Sequence, residues 1–117
     1  MIVYSVICRA RDAAVLVEVT SEALTSGNAP QVTTALLEHL RDNPTTVNEG
    51  DLKTFVHRNG ESEDFFSQIT QAFTVNFQTA EDIDLGSIEE HYFHFISFEG
   101  VFYCCLSDDS NDKEQKV

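Results

Sequence analysis

The feature that most constrains the fold is a pair of apolar runs near the end of the sequence. Tyr92–Phe98 and Val101–Leu106 are separated only by Glu99 and Gly100, and a two-residue connector containing glycine is typical of a β-hairpin. Side chains alternate between the two faces of a strand, yet both alternating sets are apolar in "YFHFISF" and in "VFYCCL". A sheet with one wet face alternates apolar and polar residues. We therefore expect this hairpin to be covered on both sides in a layered fold.

The remaining segments predict an α+β fold. Ile2–Ala10 and Ala14–Thr20 are apolar, rich in β-branched residues and separated by a short polar connector, which predicts an antiparallel hairpin. Pro30–Asp42 has apolar residues on one helical stripe and predicts an amphipathic helix. Leu52–Arg58 predicts a third strand, and the phenylalanines that follow Ser62 have the spacing of a short helix. No internal repeat is visible.

Composition and charge exclude several classes of function. The 117 residues suit one domain, and a hydrophobic content of 42% suits a buried core rather than a disordered chain. The net charge is −13, with thirteen acids and two bases in residues 61–117. Nucleic-acid binding requires clustered Lys and Arg, and anionic lipid would repel this surface. No apolar run reaches the roughly 18–20 residues that span a bilayer, so we expect no membrane insertion.

The residues with metal-binding or nucleophilic chemistry do not form a recognisable site. His91 and His94 lie three apart on a strand and point to opposite faces, as do the neighbours Cys104 and Cys105. A dyad of one of these thiols with His94 or His57 requires a thiolate, which an apolar strand in an acidic protein disfavours. Nucleotide-binding and hydrolase motifs are absent from the sequence. We expect no enzymatic activity, no metal and no cofactor.

The three cysteines, Cys8, Cys104 and Cys105, are too few and odd in number for a disulfide framework. Reduced thiols are typical of the cytosol. The N-terminal segment lacks the basic start and cleavage site of a signal peptide. We therefore expect a cytoplasmic protein.

Taken in order, four segments resemble a longin domain, the N-terminal regulatory domain of the synaptobrevin-like, tetanus-insensitive vesicle R-SNAREs. They are "MIVYSVICRARD…VLVEVTS", "APQVTTALLEHL", "LKTFVHRNG" and "HYFHFISFEGVFYCCLSDD". The resemblance implies a five-stranded, mostly antiparallel sheet with one helix on one face and two later helices on the other. It makes residues 1–109 a single longin-like domain, followed by an acidic polar tail at 110–117.

The resemblance also implies a function. In the family, a groove between the first helix and the third strand accepts the protein's own SNARE segment or a sorting adaptor, and a bound segment cannot enter the fusion complex. By position, Phe55 matches the aromatic residue of that groove, with Lys53 beside it. Val32, Leu37 and Leu40 are the expected neighbours on the helix. The implied role is a regulatory protein-interaction domain in vesicle-mediated transport, at the cytosolic face of vesicles or endomembranes.

This sequence departs from the family pattern at three points. The C-terminal helices, SNARE motif and membrane anchor of the family are not in it, residues 61–90 form an insertion between the third and fourth strands, and Lys53 replaces an often apolar residue. One sheet face therefore needs another cover or stays open. We expect either an insertion helix with Phe65, Phe66, Ile69 and Phe73 to cover it, or a homodimer to form through it.

A second class of function fits the same pattern. A longin-like or roadblock-like scaffold subunit of a coat, tether or exchange-factor assembly would act through dimerisation at a sheet edge. Both interpretations imply protein partners and no nucleic acid.

Overall fold

The computed structural model describes residues 2–21, 27–43, 47–78, 83–84 and 90–108. Its strands and helices follow one another as β1 Ile2–Arg9, β2 Val15–Thr20, α1 Ala29–Asp42, β3 Lys53–Arg58, α2 Ser62–Phe73, β4 Glu90–Phe98 and β5 Val101–Asp108. The five strands form one sheet in the order β2-β1-β5-β4-β3, and every neighbouring pair is antiparallel. The predicted α+β class, with a five-stranded antiparallel sheet, is confirmed and is compatible with a longin-like fold. The predicted tail at 110–117 lies outside the described residues.

The central hairpin forms as the sequence predicts. Glu99 and Gly100 connect β4 to β5 with φ angles of 52° and 77°. Two successive positive φ angles match the right-handed twist of a tight hairpin, and Gly100 adopts its positive φ without strain. This turn fixes the register in which Phe95 lies opposite Cys104. All even-numbered apolar residues of β5 consequently share a face with the odd-numbered residues of β4.

Helix α1 begins and ends where local chemistry requires. Pro30 occupies the first turn, where a missing N–H costs nothing. At the other end, Pro44 disfavours a helical conformation of the residue before it. That residue, Asn43, closes the helix by donating its backbone N–H to the Leu40 carbonyl at 3.1 Å and its side-chain N–H to the His39 carbonyl at 2.9 Å.

Helix α2 lies in the predicted insertion. Glu63 and Asp64 stand in its first turn, where carboxylates interact favourably with the helix dipole. Thr74, with a left-handed φ of 51°, ends it. Its inner side is formed by side chains that are at most 6% exposed: Ser62, Phe65, Phe66, Ile69 and Phe73.

Both helices pack on the same face of the sheet, which we call the helix face. Its buried strand residues are Tyr4, Val6, Cys8, Phe55, His57, His91, Phe93, Phe95, Ser97, Phe102, Cys104 and Leu106. On this face the Phe65 ring lies 5.6 Å from Phe93, and the Phe73 ring 5.3 Å from Phe95. Residues of α1, including Val32 and Leu36, share a small cavity with Leu106 and Phe93.

This arrangement corrects two expectations. Among the described residues, helices cover one side of the hairpin, and the insertion helix lies on the same face as α1 rather than on the opposite one. The physical reason is the short connection from β3, because three residues, Asn59–Glu61, return the chain beside Phe55 and His57. Those rings offer edge-on partners to Phe65 at 6.3 Å and 5.6 Å. Edge-to-face aromatic pairs add roughly 0.5–1.5 kcal/mol beyond burial.

The opposite face, which we call the open face, carries no helix among the described residues. Register places there the side chains of Ile2, Ser5, Ile7, Arg9, Val17, Val19, Thr54, Val56, Arg58, Glu90, Tyr92, His94, Ile96, Phe98, Val101, Tyr103, Cys105 and Ser107. The expectation that both faces of the hairpin are apolar therefore holds, whereas the cover on the second face is not present in the described chain.

Candidate functional site

The residues predicted to form a helix–strand groove lie in the core. Val32, Leu37, Leu40 and Phe55 are between 0% and 5% exposed. Lys53 is half-buried, pairs with Asp51 at 2.7 Å and lies 6.0 Å above the Phe73 ring. The structure thus brings these residues to one face of the sheet but leaves no open groove between them.

Helix α2 fills the space over β3 where the groove was expected. Phe73 lies 5.8 Å from the Phe55 ring, ring centre to ring centre. Beyond α2, Phe77 contacts both Phe66 and His39 of α1 at 5.6 Å. A partner segment could reach Phe55 only if α2 left the sheet, so binding at this place stays a prediction.

Gln68 on α2 occupies the edge of β3. Its side-chain oxygen accepts the Val56 N–H at 3.0 Å, and its side-chain nitrogen donates to the Val56 carbonyl at 2.8 Å. The amide thereby makes the two hydrogen bonds that a neighbouring strand would make. Sequence reasoning missed this contact, because a glutamine on the flank of an amphipathic helix looks like an ordinary surface residue.

The other edge of the sheet, β2, is open along its described length. All six residues of Val15–Thr20 are exposed, and Val17 and Val19 are 50% and 59% exposed. Glu18 is the only charged residue of the strand and accepts a hydrogen bond from the Tyr4 hydroxyl at 2.6 Å. An exposed apolar edge strand is a template for pairing with another chain.

The open face exposes several large apolar side chains. Ile2 is 57% exposed and Tyr103 40%, while Leu52, beside the face, is 62% exposed. A shallow depression of about 280 Å³ crosses its middle and is lined by residues including Ile7, Ile96 and Cys105. Five strands about 4.8 Å apart and some 20 Å long give a face of roughly 500 Å². Large apolar patches on the surface of soluble proteins frequently mark binding sites.

The imidazole in the middle of the open face is already hydrogen-bonded on both nitrogens. The ring nitrogens of His94 bond to the Thr54 hydroxyl at 3.0 Å and to the Ser107 hydroxyl at 3.1 Å. The ionic residues of this face among the described strands are Arg58 and Glu90, which pair at 2.6 Å in one corner, and Arg9 at the other end, which pairs with Asp12 at 2.9 Å. An apolar partner that covered the centre would therefore leave no charge unpaired.

Charge on the described residues is polarised along the strands. Register places Arg58, Glu90 and Asp108 at one end of the sheet. The starts of α2 and α1 meet at this end, where the Ile83 and Asp84 amides bond to Ser62 and Asn28. Six acids lie here with the single base Arg58: Glu61, Glu63, Asp64, Asp84, Glu90 and Asp108. We call it the acidic end.

The opposite end is close to balanced. Four bases and five acids lie there: Arg9, Arg11, Arg41, Lys53, Asp12, Asp42, Glu49, Asp51 and Glu99. Three ion pairs join them, with N–O distances of 2.9 Å for Arg9–Asp12, 3.0 Å for Arg41–Asp42 and 2.7 Å for Lys53–Asp51. The Arg9 guanidinium, through its hydrogen bond, lowers the pKa of the Asp12 carboxyl.

Two histidines are buried together under α2. The rings of His57 and His91 lie 5.1 Å apart, and each is at most 1% exposed. Burial lowers the pKa of His57, and it lowers the pKa of His91 to about 4, with a smaller effect from His57. His91 and Thr33 line a cavity of about 10 Å³. Because both imidazoles are neutral at pH 7, the pair behaves as core rather than as a charged site.

The thiols are held in their protonated form. Cys8 and Cys104 are buried, and Cys105 is half-buried on the open face. Burial raises the pKa of Cys8 to about 11 and also raises the pKa values of Cys104 and Cys105. These thiols are weak nucleophiles near neutral pH.

Two further findings concern metals and membranes. Within the ranges that the structure describes, no three His, Cys, Asp or Glu side chains converge in a geometry for a metal ion. The same residues contain no helix with the length and hydropathy to cross a membrane.

Comparisons of the chain with protein-family models, with curated proteins and with solved structures find no match.

Proposed function

We propose that this chain is a protein-interaction domain of vesicle trafficking, and that it binds its partner on the open face. The observation that carries the proposal is the apolar, uncharged centre of that face, with Tyr103 at 40% exposure in the middle strand. Exposing a large apolar side chain costs roughly 1.5–3 kcal/mol relative to burying it. Several such residues on one face raise the free energy of the unbound protein, and a partner that buries them lowers it.

The trafficking role rests on the resemblance to longin domains, and the compatible sheet architecture supports it. The proposed partners are a SNARE segment, a coat adaptor or a tether, and the proposed location is the cytosolic face of vesicles or endomembranes. The open face is favoured over the groove at Phe55 because α2 fills that groove with Phe65 and Phe73. Binding on the open face requires no helix to leave.

Proximity labelling in cells tests this proposal with a matched pair of variants. Tyr103→Glu puts a charge in the centre of the open face, and Ser67→Glu puts the same charge on the exposed side of α2. We expect the wild type and Ser67→Glu to label SNARE, coat or tether proteins, and Tyr103→Glu to lose that labelling. Equal labelling by all three proteins, or labelling without trafficking components, would contradict the proposal.

A second function is favoured by one specific observation. The β3 edge is occupied by Gln68, whereas the β2 edge is exposed, which suits a scaffold subunit that dimerises by pairing two β2 strands. The Ser21 N–H bonds to the Val3 carbonyl, so alternation turns the Thr20 N–H away from β1.

Thr20→Pro separates edge pairing from binding on the face, because proline removes that outward N–H. If the scaffold function holds, the wild type is a dimer by light scattering and Thr20→Pro is a monomer, while Tyr103→Glu remains dimeric. A monomeric wild type would rule out this second function and leave the first one standing.

A further inference from the structure

The turn between β3 and α2 contains the only asparagine of the sequence that is followed by glycine, Asn59–Gly60. The chain passes from Arg58 to Ser62 in three residues, and the Glu61 N–H closes the turn by donating to the Arg58 carbonyl at 2.9 Å. Gly60 has a φ angle of 84°, which glycine adopts without strain. Asn59 and Gly60 are both exposed, so water reaches the peptide bond that joins them.

The two groups of this turn that can react with each other are unoccupied by hydrogen bonds. Among the described residues, neither the side-chain amide of Asn59 nor the N–H of Gly60 has a partner. A β-carbon placed on Gly60 would meet no atom within 4 Å. Because glycine also has no side chain of its own, nothing shields its nitrogen from the side-chain carbonyl carbon of Asn59.

The reaction between these groups needs water as its only co-reactant. The Gly60 backbone nitrogen loses its proton to solvent base and attacks the side-chain carbonyl carbon of Asn59. The new C–N bond forms while the bond to the side-chain nitrogen breaks, and that nitrogen takes up a proton and leaves as ammonia. Water then opens the resulting cyclic imide at either carbonyl carbon. One opening gives an ordinary aspartate, and the other gives an isoaspartate, whose main chain runs through the side-chain methylene.

The other asparagines lack this combination of features. Asn76 is also exposed, but it precedes Phe77, whose bulky side chain hinders approach to the backbone nitrogen. Asn43 precedes Pro44, which has no N–H to lose. Asn76 therefore serves as an internal comparison for Asn59 within the same molecule.

The isoaspartate product would alter the connection that positions α2. It adds one methylene carbon, about 1.5 Å of chain, inside the turn that the hydrogen bond from Glu61 to Arg58 closes. Helix α2 begins at the next residue, Ser62, whose hydroxyl lies 3.3 Å from His57 Nε2 and accepts the Ile83 N–H at 3.0 Å. A displaced helix start weakens these contacts.

From the unshielded Asn59–Gly60 pair and the short connection to α2, we propose that this turn is a self-modification site. The folded chain slowly converts Asn59 to isoaspartate, and the lengthened turn loosens α2 from β3. The loss of ammonia is irreversible and requires no enzyme, and the inference is independent of the open face. Because α2 fills the groove at Phe55, the modified chain exposes that groove more often than the newly made chain.

Ageing of the purified protein in buffer, with no enzyme added, tests the proposal. Peptide mass spectrometry follows the conversion of amide to carboxyl at Asn59 and Asn76, and electron-transfer fragmentation distinguishes isoaspartate from aspartate. Ion exchange isolates the converted protein, which has gained a negative charge. Hydrogen exchange at the Val56 amide, which donates to the Gln68 side chain at 3.0 Å, reports whether α2 is docked on β3.

We expect Asn59 to convert, faster as the pH rises because the attacking nitrogen must lose its proton, while Asn76 stays unconverted. The isolated isoaspartate form should exchange the Val56 amide roughly tenfold faster than the fresh protein, the effect of losing about one hydrogen bond. It should also have a lower melting temperature.

Three variants separate the causes. Asn59→Gln would have to form a larger ring, so it should neither convert nor lose protection at Val56 during the same incubation. Asn76→Gln is the matched control and should convert at Asn59 like the wild type. Fresh Asn59→Asp has the new charge without the extra carbon, so its Val56 amide should exchange like that of the wild type.

Four results would each overturn the inference. If Asn59 did not convert under conditions in which a peptide of residues 53–64 does, the fold would protect the turn. Equal conversion at Asn76 would show that this turn has no special reactivity. Unchanged exchange at Val56 in the isoaspartate form would show that the extra carbon does not affect α2. Faster exchange in fresh Asn59→Asp would assign the loosening to charge rather than to the lengthened chain.

Discussion

The buried histidines show how a polar residue type becomes part of a core. His57 and His91 stand on neighbouring strands opposite one another, and Phe65 packs on His57 at 5.6 Å. The sequence correctly predicted that these residues lie on strands. The alternation of side chains along β4 also correctly placed His91 and His94 on opposite faces of the sheet. The burial of His57 and His91 was not predictable, because it depends on the face that α2 covers.

Acid should destabilise the fold through His91. Burial lowers its folded pKa to about 4, below the ordinary value of about 6.5, so its contribution is complete above pH 6.5 and is lost as the pH falls towards 4. At pH 5 the loss amounts to about 2 kcal/mol in the free energy of unfolding. Urea denaturation between pH 7.5 and 5 measures it.

His91→Phe should reduce this pH dependence and leave the part that buried His57 contributes, because burial lowers the pKa of His57 as well. The control is His39→Gln on α1, which leaves both buried histidines in place and should keep the slope of the wild type. A slope unchanged by His91→Phe would show that other groups cause the dependence.

At the scale of elements, the sequence predicted the five strands and α1 closely. It also predicted a helix at α2, but not the face of the sheet on which α2 lies. Aromatic alternation and the Glu99–Gly100 turn located the hairpin, and Pro30 and Pro44 bounded α1. The spacing of Phe65, Ile69 and Phe73 indicated a helix, but periodicity contains no information about which sheet face that helix selects. The short connection from β3 and the ring of Phe55 decide it.

Gln68 should stabilise the contact between α2 and β3 through its two bonds to Val56. Gln68→Met keeps the length of the side chain but leaves the Val56 N–H and carbonyl without that partner. Removing the partner of a half-buried backbone group costs about 1–3 kcal/mol. We expect a lower free energy of unfolding and faster hydrogen exchange at the Val56 amide.

Gln71→Met is the matched control, since Gln71 lies on the exposed side of the same helix. It should leave both quantities close to those of the wild type. Equal losses in the two variants would mean that the amide of Gln68 contributes nothing specific.

At the scale of the whole molecule, composition predicted an acidic protein but not the polarity of its charge. The excess of acids in residues 61–117 was visible in the sequence. Their gathering at one end required the register of β3, β4 and β5 and the pairing of Asp84 with Asn28. For the candidate site, the apolarity of the open face could be predicted from the sequence. The filling of the groove at Phe55 by α2 could not.

Salt should stabilise this molecule. A net charge of −13 repels itself in the compact state, and dissolved ions screen that repulsion. We expect the melting temperature to rise by several degrees between about 10 and 200 mM NaCl at pH 7.5. Near the sequence isoelectric point of about 4.4, the same salt step should have little effect, and a fall in melting temperature at pH 7.5 would contradict the argument.

The amide of Gln68 also limits how large an assembly can become. A fibre that grows by strand addition requires every subunit to have two unpaired sheet edges, so that one neighbour can pair on each side. In the described part of this chain, the β3 edge is already occupied by the side chain of Gln68. Growth by strand addition therefore stops after a single step, so a pair is the largest species that this route can produce.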